Sequence, residues 1–546
     1  MSQSHAAILE HHLEGRPAHR PARKRWLIVT AAALLAFAIV GLILLALHWP
    51  FTRQRVIDGL QEDFHGTVTF RDFHLTFLPH PGCVAEGAAL VRPGFPSSPP
   101  FVSAQKLIIR AHYLDFLLRP GFISRIELQG LQIHVPPIGT MPPEPPDPNP
   151  STNTVGQVIA NTSILEVARK AAPPLHFDIH ALTLHSVSHK AGFSYDVAFL
   201  NAQPPGEIQS RGHFGPWNAS DPGQTPVFGT YKFEHAYLGN LEGIDGVLAA
   251  HDSFQGTLNQ IETHGSVEIP DFQVRRAARS SSIDSRFHAF VDALHGDVHL
   301  EHVETTIVNT IVLARGAVEE SSGHPGKVTS LDLNVSRGRI QDLLRLFIKE
   351  PRSPIVGAIS FRAHVTVPPL GRPFEQEVIL VGDFGIDDGR FTKAETNKKV
   401  AGLSQRAQGK KTDDKDKGTV DPEEEDAERI VSDLKGHVDL KNGIATLTDI
   451  SFSIPGAVAN VHGTFNLLNE KIDFHGTLKT DAEFSKMGGG GLKSIFLKPF
   501  DAMFKKKPKG AEIPIKMTGT YSHPQPGLEI SGGKKDDTQK DSGQKK

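Results

Sequence analysis

Short segments in which apolar and polar residues alternate run through most of this 546-residue chain. The clearest example is LKGHVDLKNGIATLTDISFSIPGAVANVHGTFNLLNEKIDFHGTLKT, residues Leu434 to Thr480, in which turn sequences such as KNG and LLNEK separate the alternating segments. Successive side chains of a β-strand point to opposite faces, so this period of two predicts strands with one apolar face. Similar segments begin at Phe254, Gly296 and Val381. We therefore predict a mainly β fold built on an elongated, curled antiparallel β-sheet that forms a groove.

Few helices are available to cover the apolar face of such a sheet. RIQDLLRLFIK, Arg339 to Lys349, has apolar residues at helical spacing, and the segment from Tyr113 to Leu118 is predicted to form a helical turn. A few short amphipathic helices cannot cover a sheet of roughly 25 to 30 strands. Two architectures remain open: two sheets that pack face to face, or a curled sheet whose apolar face lines a trough.

An uncharged apolar segment near the N-terminus, WLIVTAAALLAFAIVGLILLAL from Trp26 to Leu47, is long enough to cross a bilayer. Basic residues precede it at positions 16, 20, 23, 24 and 25, and Trp49 follows it. The positive-inside rule then places the N-terminus in the cytoplasm and the bulk of the chain on the opposite side of the membrane. The alternative is a cleaved signal peptide, whose apolar core would be shorter and would end at a small-residue cleavage site.

Composition and motifs argue against several functional classes. The formal net charge is −3, so no basic field favours nucleic acid as a partner. Cys83 is the only cysteine, which excludes an intrachain disulfide, and we expect its thiol to be an inert buried group. Sequences typical of hydrolases, zinc proteases, dinucleotide sites and P-loops are absent, and the 28 histidines are spread singly. We therefore predict a protein that is not an enzyme and that has no catalytic residues, metal site or cofactor.

Two stretches carry a resemblance to a known family. The N-terminal stretch consists of TRQRVIDGLQEDFHGTVTFRDFHLTFLPHPGCVAEGAAL followed by PFVSAQKLIIRAHYLDFLLRPGFISRIELQGLQIHVP. The C-terminal stretch runs from Leu447 to Ile530. In their order after a basic N-terminus and a single anchor, they resemble the bacterial AsmA-like family. That resemblance implies a single-pass protein of the bacterial inner membrane with its bulk in the periplasm, related to TamB-type lipid-transfer proteins whose β-grooves carry phospholipid toward the outer membrane.

The resemblance and the low-complexity segments together predict a domain organisation. Its parts are a cytoplasmic basic N-terminus (1–25), a transmembrane helix (26–49), an AsmA-like N-terminal region (50–136), a Pro-rich linker with a possible short helix (137–172), a β-repeat groove region (173–408), a charged disordered loop (409–428), an AsmA-like C-terminal β region with an amphipathic helix (429–530) and a disordered tail (531–546).

The function that follows from the resemblance is holding or transferring phospholipid along the apolar groove, as a contribution to outer-membrane biogenesis. The alternative is a non-catalytic assembly factor or scaffold for outer-membrane protein insertion, which would have periplasmic or outer-membrane assembly proteins as partners. Alternation along the strands predicts the residues that line the groove: Val68, Phe70, Phe73, Leu75, Phe77, Ile269, Phe272, Val274, Ile450, Phe452, Ile454, Phe465, Leu467, Ile472 and Phe474. For the first strands, packing of these side chains within the protein is an equally open interpretation.

A basic amphipathic segment near the C-terminus, Phe484 to Gly510, follows a run of glycines. It predicts a helix that lies on an anionic membrane or acts as a lid, with apolar residues Leu492, Ile495, Phe496, Phe500, Met503 and Phe504. The alternative is a helix that plugs the open end of the sheet while its lysines are solvated.

Overall fold

A computed structural model describes most of the chain between Trp49 and Leu528. The described residues are 39–40, 49–93, 99–119, 121–136, 152–168, 173–188, 190–218, 220–241, 243–277, 279–320, 326–350, 352–369, 371–392, 432–454, 457–480, 512–520 and 523–528. Within these ranges, no helix has both the length and the apolar character needed to cross a membrane. The predicted transmembrane helix lies almost wholly outside them, as do the basic N-terminus, the charged loop, the lid helix and the tail.

Strands dominate the described residues, and 26 of them belong to one sheet. The first part of the sheet contains β1 (Thr67–Thr69), β2 (Asp72–Thr76), β3 (Gly82–Val91), β4 (Val102–Arg110), β5 (Phe122–Gln129), β6 (Gln132–Val135), β7 (Thr154–Val167), β8 (Leu175–Ser188), β9 (Gly192–Ala202), β10 (Pro205–Phe214), β11 (Pro226–Tyr237), β12 (Ile244–Asp245) and β13 (Val247–Thr257). The second part contains β14 (Gln260–Val274), β15 (Ser281–Asp292), β16 (Asp297–Ile307), β17 (Thr310–Glu320), β18 (Lys327–Arg339), β19 (Ile355–Val367), β20 (Ile379–Phe391), β21 (Ser432–Lys441), β22 (Ile444–Ile454), β23 (Ala457–Asn466), β24 (Lys471–Thr480), β25 (Glu512–Thr520) and β26 (Pro524–Leu528).

Helices are few and short in the same ranges. They are α1 (Arg53–Phe64), α2 (Tyr113–Leu118), α3 (Ile340–Leu344) and α4 (Phe374–Glu377), with 3-10 helices at Pro222–Gln224 and Leu238–Asn240. The predicted helical turn at Tyr113 to Leu118 is confirmed. The predicted helix at Arg339 to Lys349 is confirmed only over Ile340–Leu344, although Leu346 and Phe347 continue its apolar contacts.

Each strand from β7 onward pairs antiparallel with its successor, apart from β12, whose two residues pair with the end of β14 beside β13. The sheet is nevertheless mixed, because β5 and β6 both pair parallel with β7. The prediction of a purely antiparallel sheet is therefore wrong at this point. A parallel pair needs a crossover connection of a dozen or more residues, and the chain from residue 136 to residue 153 makes that connection.

The strand β7 also corrects the prediction of a linker with a short helix at 137–172. Thr154–Val167 forms one of the longer strands, and it pairs with β8 along its whole length. Valine and isoleucine at five of its positions favour a strand, but the prolines and polar residues that precede it resemble a linker. The part of this segment that follows the Pro-rich residues is therefore a strand of the sheet.

Bulges interrupt the ladder at regular intervals and help to curl the sheet. Register shifts occur in β11 after Phe233, in β14 after Ile269 and in β18 after Val335. Residues at such interruptions take left-handed backbone conformations, for example His235 with φ 53° and Asp449 with φ 51°. Each bulge bends its strand and increases the local right-handed twist, so the twist accumulates along the sheet.

This twist brings distant parts of the sheet into contact. Arg276, in the turn after β14, lies with its Nε 2.7 Å from Oε1 of Glu375, which lies in α4 between β19 and β20. Nη1 of the same arginine donates a hydrogen bond of 2.8 Å to the carbonyl oxygen of Leu468, in the turn between β23 and β24. We call this set of contacts the Arg276 bridge. It ties the middle of the sheet to its C-terminal part.

Protein side chains cover both ends of the apolar face. At the N-terminal end, α1 packs over a cluster that contains Trp49, Phe51, Val56, Val68 and Phe70. Further along, α3 and the turn after it cover Val335 and Ile359, while Phe374 and Val378 pack on Val365 and Leu440. The face from β17 to β24 is therefore largely filled by the protein itself.

The thiol of Cys83 lies in the N-terminal cluster and is fully buried. Burial raises the pKa of this thiol to about 12, so the reactive thiolate is scarce at neutral pH. We expect the native chain to resist maleimide labelling for hours and to react within minutes after denaturation. Mass spectrometry of the labelled protein measures both rates, and rapid labelling of the native chain would contradict the packing described for β3.

Candidate functional site: an apolar trough

The register of the strands places apolar side chains opposite one another along one face of the sheet. In the N-terminal half, one row across β4, β5, β7, β8 and β9 contains Ile109, Ile126, Val158, Leu184 and Tyr195. In the C-terminal half, a row from β18 to β24 contains Leu331, Val365, Leu380, Leu440, Ala445, Phe465 and Ile472. We call this face the floor, because it would be the floor of the trough that the sequence predicts.

Aromatic rings lie across glycines on this floor. Phe254 is directly opposite Gly229, Phe287 is opposite Gly265, and a Cβ on either glycine would lie within 3 Å of the ring. The same pairing recurs between Tyr195 and Gly212, Phe384 and Gly436, and Phe474 and Gly463. Because glycine has no side chain, each ring can lie low across the neighbouring strand. The pairs therefore keep aromatic surface close to the floor.

One part of the floor is less covered than the rest. We call it the open stretch, and it comprises Leu182, Leu184, Tyr195, Val197, Phe199, Ile208, Tyr231, Phe233 and Phe254 from β8 to β13. All nine are half-buried, and the buried clusters formed by the described residues include none of them. An acyl chain that packs on this row of aromatic and aliphatic side chains would cover the apolar surface that the protein leaves exposed.

A few hydrogen-bonding groups interrupt this apolar floor. Ser210, Tyr231 and Asp252 lie directly opposite one another on three successive strands. Burial raises the pKa of Tyr231, and the nearby Asp252 carboxylate raises it further. Burial also raises the pKa of Tyr195, whose Oη lies 3.4 Å from Oγ of Ser210. Both phenols therefore stay protonated at neutral pH and can donate hydrogen bonds to an oxygen-rich ligand.

Near the N-terminal end, apolar side chains project into solvent. We call them the membrane-end patch, because the sequence predicts a membrane-spanning segment just before Trp49: Phe77, Leu78, Leu114 and Leu118, with exposed fractions of 53%, 84%, 68% and 75%. Tyr113 donates a hydrogen bond from Oη to the carbonyl oxygen of Phe77, which holds α2 against the loop after β2. The ring of Phe77 also packs on Trp49 with centroids 4.9 Å apart. Since Trp49 closely follows the apolar run, the patch lies where the chain leaves that segment.

The structure separates the predicted groove residues into three groups. Val68 and Phe70 are buried beneath α1, and Phe73 packs against the same cluster, so protein covers these three. Leu75 and Phe77 are exposed at the N-terminal end. The remaining residues lie on or beside the floor: Ile269, Val274, Ile450 and Ile472 are buried, Phe272, Phe452, Phe465, Leu467 and Phe474 are half-buried, and the side chain of Ile454 is not described.

The sequence pattern alone does not reveal the open stretch or one polar cluster. The segments from β8 to β13 alternate as clearly as those chosen, but their exposure depends on what packs above them, which alternation does not reveal. On the outer face, Glu262, His264 and His288 converge, with ligand atoms all within 4.8 Å of one another. His288 lies 24 residues after His264 in the chain, so the two can be recognised as neighbours only when the strand register is known.

Comparisons of the chain with protein-family models, with curated proteins and with solved structures find no match. The resemblance to the AsmA-like family therefore stays a prediction. The function has to be argued from the trough and its surroundings.

Proposed function

We propose that this chain binds phospholipid by its acyl chains in the open stretch of the trough. The observation that carries the proposal is the run of nine half-buried apolar residues from β8 to β13, on a face whose other parts contribute residues to the buried clusters. Covering such a surface with hydrocarbon is favourable by about 25 cal/mol per Å² of apolar area removed from water. The low rings over glycine keep part of that apolar area close to the floor.

The polar groups on the floor suit the other parts of a phospholipid. Ester and phosphate oxygens accept hydrogen bonds, and the protonated phenols of Tyr195 and Tyr231 can donate them. The edges of the trough are rich in polar residues, which allows a headgroup to stay in water while the acyl chains lie inside.

The membrane-end patch supports a route by which lipid reaches the trough. Four exposed apolar side chains beside Trp49 would be stabilised by insertion into the interface of a bilayer. We propose that the apolar run from Trp26 to Leu47 anchors the chain in the inner membrane, with the sheet in the periplasm. The patch then places the N-terminal strands against the lipid source.

The scaffold alternative predicts a different interior. An assembly factor needs only a stable sheet, and a face filled by its own side chains, as from β17 to β24, would serve it. The open stretch distinguishes the two functions because it has no evident use in a closed scaffold.

The length of the sheet follows from the number of strand positions. The 26 strands occupy 23 positions, because β1 and β2, β5 and β6, and β12 and β13 share positions. At ~4.8 Å per position, the sheet is roughly 105 Å long.

A photoreactive phospholipid with a diazirine in its acyl chain tests the proposal directly. The full-length chain, purified in detergent and reconstituted with this lipid, is irradiated and digested, and labelled peptides are identified by mass spectrometry. We expect labelled peptides from β8 to β13 as well as from the apolar run. Labels restricted to the apolar run and the membrane-end patch would refute lipid binding in the trough and would favour the scaffold.

A further inference from the structure

The outer face of the sheet carries a set of side chains that suits a metal ion. Glu262 and His264 lie two residues apart on β14, so they point to the same face, and His288 on β15 is directly opposite His264. Nε2 of His288 lies 3.0 Å and Nε2 of His264 lies 3.3 Å from the same carboxylate oxygen, Oε1 of Glu262. The two imidazole rings stack with centroids 4.2 Å apart.

The two separations from Oε1 are close to those between ligand atoms of a tetrahedral zinc site. One imidazole would have to rotate on binding, because stacked rings cannot both direct their in-plane lone pairs at one ion. Zinc binds histidine nitrogen and carboxylate oxygen at about 2.0 to 2.2 Å, which places neighbouring ligand atoms roughly 3.3 Å apart along an edge of the tetrahedron. A glutamate side chain is ordinarily ionised at neutral pH, as metal coordination requires.

A second group of one acidic residue and two histidines has the same strand positions, but its nitrogen and oxygen atoms do not all come together. On β24, Asp473 and His475 are also two residues apart, and His462 on β23 is directly opposite His475. Here the rings lie 6.3 Å apart, and Asp473 has a shorter side chain than Glu262. Nε2 of His475 still lies 2.9 Å from Oδ1 of Asp473, so these two residues form an ordinary hydrogen-bonded pair.

We propose that Glu262, His264 and His288 bind a divalent transition-metal ion of the zinc class. Two imidazoles and one carboxylate supply three ligands, and a fourth position is available to water or to His302, which is opposite His288 on β16. Binding would clamp β14 to β15 on the polar face, behind the part of the floor that carries Phe287 and Gly265. The site is independent of lipid binding in the open stretch.

The test is a zinc titration of the purified full-length chain after removal of metal with EDTA. Isothermal titration calorimetry and the absorption spectrum of bound cobalt report affinity and ligand geometry. Because the chain has 28 histidines, weak additional sites are expected and matched variants are essential. The test variants are His264→Asn and Glu262→Gln, and the controls are His475→Asn and Asp473→Asn. All four residues lie on the polar face.

We expect one zinc equivalent to bind more tightly than the rest, with affinity reduced at least tenfold in both test variants and unchanged in both controls. Hydrogen exchange should slow in β14 and β15 when zinc is added to the unaltered chain, and not in His264→Asn. The proposal is overturned if the unaltered chain shows no saturable zinc binding. It is equally overturned if His475→Asn weakens the tightest site as much as His264→Asn does, which would indicate collective binding by scattered histidines.

Discussion

Replacement of Phe254 by Asp is expected to remove most of the phospholipid that co-purifies with the full-length chain. The ring of Phe254 lies over Gly229 at the β13 end of the open stretch, where an acyl chain would contact it. A carboxylate at that point would have to lose its water when the acyl chain binds, at a cost of several kcal/mol. A penalty of 3 to 4 kcal/mol corresponds to more than a hundredfold in affinity. Lipid extraction and mass spectrometry measure the loss.

Phe228 provides the matched control, because it lies on the neighbouring strand β11 but on the outer face and is 55% exposed. Phe228→Asp should leave the lipid content unchanged, since nothing apolar needs to be bound there. Far-UV circular dichroism should show the same strand content in both variants. Equal lipid loss in the two variants would contradict a trough that is specific to one face. Unfolding of Phe254→Asp with normal folding of Phe228→Asp would show that side chains already fill the open stretch.

The periodicity of the sequence was enough to predict the strands but not how they pair. Alternation at Leu434 to Thr480 predicts β21 to β24 closely because each residue's face follows from its position alone. The parallel pairing of β7 could not be predicted, since it depends on where a long proline-rich connection returns to the sheet. Bulges such as that after Val335 shift the alternation by a residue without a clear sequence signal.

For the candidate site, the sequence likewise predicts which face a side chain lies on but not what packs above it. Phe474 and Phe465 were chosen from alternation, and both do lie on the floor. Val68 and Phe70 alternate in the same way but are covered by α1, whose packing depends on contacts with residues far along the chain. The open stretch differs from the filled part only in what lies above it, so its identification required the whole fold.

The second large expected effect is a loss of local stability when the Arg276 bridge is broken. Glu375 is almost fully buried, and its Oε2 has no hydrogen-bond partner among the described residues, so Arg276 is the main compensation for its charge. Replacing Arg276 by Met should destabilise this contact by about 1 to 3 kcal/mol, because the buried carboxylate loses its partner while the exposed part of the arginine is already screened by water. The chain consists of many nearest-neighbour strand contacts, so we expect local opening rather than global unfolding. Native-state hydrogen exchange at residues 371–378 and 243–246 measures it.

Arg372, on the loop between β19 and β20 that also carries Glu375, gives the matched control. Its Nε lies 3.5 Å from Oε1 of Glu377, and that oxygen also accepts a hydrogen bond from the backbone N–H of Gly371. Arg372→Met should therefore accelerate exchange far less than Arg276→Met does. The double variant Arg276→Met, Glu375→Gln should recover much of the lost protection, since removing the negative charge removes the cost of leaving it unpaired. If the double variant opens as readily as Arg276→Met alone, the hydrogen bond from Arg276 to Leu468, rather than the ion pair with Glu375, holds the two parts of the sheet together.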